Sequence, residues 1–289
     1  MNTRNGDSED RDAGVTVLAR GLRKTYPGVE AVRGVDLTVR AGETFGFLGP
    51  NGAGKSTTIA MLCTLARPTG GRAAVAGADV TADPAAVRRG IGLVFQESTL
   101  DGDLTAAENL RFHAELHGLP RRTAHRRTAE MLALVGLDDR RDSLVRTFSG
   151  GMKRRLEIAR GLLHAPRVLF LDEPTLGLDP RSRALVWEHL HKVRRQRSVT
   201  LFLTTHYLEE AEHCDRIAVI DDGRIVTEGT PARLKAAVGA DRVVVRTADD
   251  TAATAALHER FGGARPQAQR VLVVVRPPRR SRRLRRHGR

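Results

Sequence analysis

The chain has 289 residues, of which 40% are hydrophobic, and a formal net charge of +14. That length builds one large domain, or a domain with a small appendage. Cys63 and Cys214 are too few for a disulfide framework and form no metal-ligand cluster, and no window approaches the ~20 apolar residues that span a bilayer.

Met1–Gly14 is polar and acidic, without the apolar centre of a signal peptide, so the chain reads as cytosolic. Val15–Ala19 is predicted as a short strand. Ala31–Val39 is a second, ending at the turn Arg40-Ala41-Gly42, and these early strands read as a separate antiparallel layer. Glu43–Leu48 is a strand running directly into Gly49-Pro50-Asn51-Gly52-Ala53-Gly54-Lys55-Ser56, and Thr57–Leu65 is a helix stopped by Pro68, Gly70 and Gly71. The loop fits G-x-x-x-x-G-K-[ST] between a strand and a helix. Glycines at Gly49, Gly52 and Gly54 let the backbone fold around phosphates, with Asn51 and Thr57 beside them, and the helix start adds its positive dipole end. Lys55 is expected to reach the β and γ phosphates of a nucleotide, and Ser56 to ligate Mg²⁺.

Ile91–Phe95 is a buried-type strand. Leu104–His117 and Ala124–Val135 have helical periodicity, and the block from Leu104 to Val145 interrupts the sheet pattern as an inserted helical subdomain would. Ser149-Gly150-Gly151 opens a helix over Met152–His164 that carries Lys153, Arg154 and Arg155, which reads as a second anion-binding geometry or as a plain N-cap. Val168-Leu169-Phe170-Leu171 ends in Asp172-Glu173. Ionised acids resist burial, so a strand tip of this kind needs a reason. Asp172 holding Mg²⁺ through water and Glu173 taking a proton from an attacking water supply one. Arg181–Arg194 is a helix, Val199–Thr204 and Ile217–Ile220 are strands, and Asp221-Asp222-Gly223 is a tight hairpin turn. Strands alternating with helices predict a mainly parallel α/β sheet. With Tyr26, Tyr207 and Trp187 among few aromatics, the core is expected to be mostly Ala, Val and Leu.

Beyond Asp241 a βαβ-like fragment is predicted from a strand at Arg242–Arg246, a helix at Ala252–Phe261 and a strand at Val271–Val275. Eight arginines fall in the last 14 residues, and without them the net charge is +6, ordinary for a protein that binds a polyanionic nucleotide. The tail reads as solvated or membrane-surface charge or as out-of-frame coding, and specific nucleic-acid binding is not expected. The division expected is a flexible segment 1–14, a nucleotide-binding domain over 15–238 with its helical subdomain at about 97–150, a partial accessory domain over 239–276 and a basic tail at 277–289.

From Val15 to Leu234 the motifs together resemble the nucleotide-binding domain of ABC transporters. Phe148-Ser149-Gly150-Gly151-Met152 sits where that family has its signature Leu-Ser-Gly-Gly-Gln, just ahead of the Val168–Glu173 run. The resemblance implies a P-loop NTPase fold that binds ATP with Mg²⁺. It implies that Tyr26 stacks on adenine, that Gln96 contacts Mg²⁺ or water and faces the membrane partner, that Leu178-Asp179 forms the D-loop, and that His206 contacts the γ-phosphate. Glu173, His206 and Gln96 are then the catalytic group, with Ser56, Gln96 and Asp172 around the metal. Met152 and Phe148 depart from the signature, while Ser149 and Gly151, the γ-phosphate contacts, are intact.

In that family the signature of one copy caps the ATP on the P-loop of another, so a head-to-tail pair of this chain is implied. So are a permease on a separate chain and a peripheral position on the cytoplasmic face of the membrane. Phe148–Leu156, Phe95–Asp101 and Thr204–Leu208 are similar to the daunorubicin-type drug-resistance exporters. Two other readings remain open: the ATPase of an importer, and a non-transport ATPase of the same superfamily. Against the second, no long heptad arm lies between Lys55 and Asp172, as DNA-handling members have, and only one ATPase unit is present where ribosome-acting members carry two.

Overall fold

The computed structural model describes residues 14–238, 241–245, 250–261, 264–267 and 270–275. Apart from Gly14, the predicted N-terminal segment 1–14 lies outside the described residues, as does the tail 277–289. Contacts divide the chain into two compact units, through Pro231 and from Ala232 onward.

The first unit opens with a hairpin of β1 (Val15–Tyr26) and β2 (Val29–Arg40). The sequence suggests that β1 stops near Ala19. It continues because a bulge between Ala19 and Leu22 absorbs the broken alternation, with Gly21 at φ 55° and its N–H donated to Asp36. Next come β3 (Thr44–Leu48), α1 (Lys55–Leu62), β4 (Gly70–Val75) and β5 (Ala78–Asp79). The order β2-β1-β4-β5 makes the expected antiparallel layer.

Helix α2 (Pro84–Gly90), unpredicted, is capped by Asp83, whose carboxylate accepts from Ala86 N–H. It leads to β6 (Ile91–Val94) and then to the helices α3 (Ala106–Leu116) and α4 (Arg121–Leu134). Thr105 and Glu108 form a reciprocal capping box that fixes the start of α3. Helix α5 (Gly150–Leu162) returns the chain to β7 (Val168–Asp172), followed by α6 (Pro180–Arg197), β8 (Thr200–Thr205), the short α7 (Leu208–Ala211), β9 (Arg216–Asp221), β10 (Arg224–Gly229) and α8 (Pro231–Val238).

The second sheet runs β10-β9-β3-β8-β7-β6 and is parallel except for the edge hairpin β9–β10. Every residue of β3 and β8 is buried, as expected of strands covered on both faces. The core is largely aliphatic, but its centre is aromatic. Phe45, Phe47 and Phe170 surround Phe202 with ring centroids 5.2 to 5.9 Å away. Offset rings at such distances add about 0.5–1.5 kcal/mol per pair beyond their buried area. Helix α5 lies close against β6, because a Cβ on Gly92 would stand 2.1 Å from the Gly161 carbonyl oxygen.

The second unit departs from the predicted βαβ pattern. After β11 (Asp241–Val245) and α9 (Asp250–Phe261), an extra strand β12 (Ala264–Gln267) precedes β13 (Arg270–Val275), and the order β11-β13-β12 is antiparallel throughout. Pro266 hides β12 from sequence patterning, and it is tolerated there because β12 is an edge strand.

Candidate active site

The site lies where the parallel strands end at their carboxyl tips. From β3 the chain enters the glycine loop, and Gly49 N–H donates to the Thr205 carbonyl at the tip of β8. A Cβ on Gly49 would stand 2.3 Å from the Ile220 carbonyl oxygen, and one on Gly54 2.5 Å from that of Ala31. Gly54 also takes φ 100° as the residue before α1, a left-handed turn that glycine makes without strain. The loop is further held from the turn between β9 and β10, about 170 residues along the chain. Gly223 N–H donates to the Ala53 carbonyl at 3.1 Å, the Gly223 carbonyl accepts from Arg33 N–H at 2.8 Å, and Arg33 pairs with Asp222. The hairpin turn predicted at Asp221-Asp222-Gly223 is thus fastened to both β2 and the glycine loop.

Lys55 is buried with its ammonium inside the loop, donating to the carbonyls of Gly49 at 2.8 Å and Pro50 at 3.1 Å. It stands 3.5 Å from Glu173 Oε1. Ser56 Oγ donates to Asp172 Oδ1 at 3.3 Å, and Thr204 Oγ donates to the same oxygen. Glu173 is 7% exposed and takes φ 46°, which is uncommon for a residue with a Cβ. Its N–H donates to Thr204 Oγ at 3.0 Å, and its Oε2 lies 3.3 Å from His206 Nδ1. Thr204 therefore steadies both acids, a role that nothing in its sequence context signals.

Lys55, Ser56, Glu173 and His206 line a cavity of about 390 Å³ together with Ala31, Asn51, Gly52, Gly54, Thr57, Gln96 and Leu176, while Gly49 and Asp172 lie just outside that lining. Most of the predicted residues converge there. Tyr26 is not among the lining residues; it is 42% exposed near the end of β1, with the Lys24 ammonium 4.9 Å from its ring centroid. Ser149, Gly151 and Asp179 also lie outside the lining. Ser149 caps α5 by accepting from Met152 N–H, and Asp179 caps α6 by accepting from Ser182 N–H. Gly151 packs so closely on α6 that a Cβ would stand 2.7 Å from Ser182 Oγ.

Two of the basic residues behind Ser149, Arg154 and Arg155, are committed to the fold. Arg154 is buried, and its guanidinium donates to backbone carbonyls on two other segments. Arg155 donates to the carbonyls of Val135 and Gly136. For Arg154 the sequence does hold a signal, the opposite charge of Glu157 three residues on along the helix, and the structure finds that pair buried at 3.2 Å.

A glycine loop entering a helix, an acidic strand tip and a histidine after the next strand, gathered at the ends of a parallel sheet, define a P-loop ATPase. Residues 32–176 match the family model described as ABC transporter. The chain belongs to that ATP-binding family and is an ATP hydrolase.

It is 50% identical over 230 residues to the daunorubicin/doxorubicin resistance ATP-binding protein of Streptomyces peucetius, covering 79% of this chain and 69% of that one. It is 41% identical over 230 residues to the linearmycin resistance ATP-binding protein of Bacillus subtilis, covering 79% and 74%. Among solved structures, cbiO1 from Clostridium perfringens, part of an ABC transporter complex, superposes with a TM-score of 0.73 at 28% identity over 77% of this chain and 91% of that one. A dimeric ATP-binding cassette in a post-hydrolysis state bound to ADP and Pi gives 0.68 at 27% identity, covering 75% and 99%. Among the described residues, no helix is long and apolar enough to cross a membrane.

Proposed function

We propose that this chain is the ATP-hydrolysing subunit of an exporter, peripheral to the cytoplasmic face of the membrane and driving a separate permease that moves a drug or antibiotic. The similarity to ATP-binding proteins named for daunorubicin/doxorubicin and linearmycin resistance supports the export reading over the importer and non-transport readings.

The observation that carries the mechanism is a division of labour. Lys55, Ser56, Gln96, Glu173 and His206 share one cavity, while Ser149, Gly151 and Asp179 lie outside its lining. Ser149 and Gly151 at the start of α5 and Asp179 at the start of α6 are read as the cap over ATP bound on another copy, which makes the working unit a head-to-tail pair of this chain. The likeness to a dimeric cassette bound to ADP and Pi supports this.

Within one site, the loop amides and the start of α1 hold the phosphates, with Gly49, Asn51, Gly52, Gly54 and Thr57 around them and Lys55 on the β and γ groups. Tyr26 stacks on the adenine. The donor set of Ser56 Oγ, the Asp172 carboxylate and the Gln96 amide is all oxygen, which suits Mg²⁺. When bound, the ion neutralises phosphate charge as the γ-phosphoryl group transfers. Glu173 takes the proton of the attacking water, and His206 contacts the γ-phosphate while bordering Glu173.

Two substitutions test this reading. Glu173→Gln should lower ATP turnover by about 10²-fold or more while nucleotide binding persists. Ser149→Ala, made in the Glu173→Gln background, should abolish ATP-dependent dimerisation in sizing chromatography. Wild-type turnover in the first would remove the general base, and wild-type dimerisation in the second would remove the composite site.

A further inference from the structure

We propose that Arg154 is a positioning residue for hydrolysis, holding the Glu173 turn and the Gln96 segment in one fixed relation to α5. The proposal rests on the reading of Glu173 as general base.

Arg154 is 6% exposed and carries five N–H donors, and the structure gives it five bonds. Nε donates to the Pro174 carbonyl at 2.6 Å, and Nη2 to those of Asp172 at 3.2 Å and Glu173 at 2.8 Å. Nη1 donates to the Phe95 carbonyl and to Glu157 Oε2 at 3.2 Å. Three consecutive carbonyls around Glu173 therefore converge on one planar group. That is the stretch where Glu173 takes φ 46°, a conformation that persists only when its surroundings over-determine it. Thr204 fixes the N–H side of the turn and Arg154 fixes the carbonyl side.

The same helix clamps the segment that carries Gln96. Arg154 takes the Phe95 carbonyl at one end. At the other, Glu157 accepts from Thr99 N–H at 3.0 Å, and Arg160 donates to the Thr99 carbonyl at 3.0 Å and to Thr99 Oγ at 2.6 Å. Helix α5 begins at the Ser149 cap, so its first turn, the Gln96 segment and the Glu173 turn are bound to one rigid element. Arg154 touches neither nucleotide nor water in this scheme and acts only through Glu173 and Gln96.

The test compares Arg154→Lys and Arg154→Gln in the purified full chain, well below each variant's melting temperature. Lysine keeps the buried charge beside Glu157 but lacks the planar fork that spans several carbonyls. Both variants should lose about tenfold or more in kcat while the KM and equilibrium Kd for ATP stay within about threefold of wild type. Lysine should not rescue the rate, even though it restores most of the melting temperature. Should Arg154→Gln fail to fold, Arg154→Lys alone decides.

A kcat within about twofold of wild type in the folded lysine variant would overturn the proposal, as would kcat and nucleotide affinity falling together. Glu173→Gln is run alongside. If that variant keeps wild-type turnover, the general-base reading itself fails. If it is inactive while Arg154→Lys turns over normally, only the role of Arg154 fails.

Discussion

One chemical change made at two threonines of the parallel sheet should have opposite effects on stability. Thr204 and Thr44 are both fully buried, on the adjacent strands β8 and β3. Thr204 Oγ donates to Asp172 Oδ1 and accepts Glu173 N–H at 3.0 Å, whereas Thr44 Oγ has no hydrogen-bond partner among the described residues. Replacing Thr204 by the isosteric valine strands a buried N–H, at about 1–3 kcal/mol, and removes a bond to a carboxylate that solvent reaches in part. The combined loss is about 3 kcal/mol. Replacing Thr44 by valine removes an unpaired hydroxyl and should gain about 1 kcal/mol.

Trp187 is the single tryptophan and is buried in α6, so its fluorescence follows unfolding of the first unit. At a urea slope of about 3 kcal/mol per molar, Thr204→Val should move the midpoint down by about 1 M and Thr44→Val up by about 0.3 M. Midpoints that move in the same direction would refute the claim that hydrogen-bond satisfaction, and not side-chain shape, sets the stability of these strands.

Gly49→Ala should lose more than about tenfold in ATP affinity in a fluorescent-nucleotide titration, because its Cβ meets the backbone of Ile220 and the loop must shift. Gly92→Ala should cost several kcal/mol in urea unfolding, on the order of the worst overpacked cores, because β6 and α5 would be forced apart at the Gly161 carbonyl. Acid should weaken the first unit through His113 and His164, which burial lowers to about 4 each, with Arg160 adding to the effect at His113 and His117 at both. Their folded values lie below the unfolded 6.5, so the unfolded chain binds more protons, and stability falls as pH drops from 6.5 toward 4. Urea midpoints measured from pH 7 to pH 5 should fall in the wild type and flatten in the His113→Gln, His164→Gln double variant; equal slopes would refute this origin.

What the sequence made legible was local. The glycine loop, the acidic strand tip and the Ser149 helix start each occupy a handful of consecutive residues, so spacing alone revealed them. The parallel sheet followed from apolar runs at β3, β6, β7 and β8. What escaped depends on contacts distant in sequence or on irregular backbone. The bulge at Gly21 concealed half of β1, and Pro266 concealed β12. Thr204 serves two acids 31 and 32 residues away, and Arg154 reaches carbonyls up to 59 residues away, so no window of sequence contains either role. Tyr26, singled out by its motif, is exposed at the end of β1 and lies outside the cavity lining.

The turn at Gly223 has a consequence for how this molecule opens. Its N–H and carbonyl link the glycine loop at Ala53 to Arg33 on β2, joining three stretches of chain that span nearly two hundred residues. Both bonds open when the turn itself detaches as a unit. The Gly223 and Arg33 amides should therefore exchange their hydrogens with solvent at a common rate, slowed in step when nucleotide fills the loop. The phosphate cradle is then a cooperative unit with the edge hairpin, and loosening a surface turn far along the chain would be felt where ATP binds.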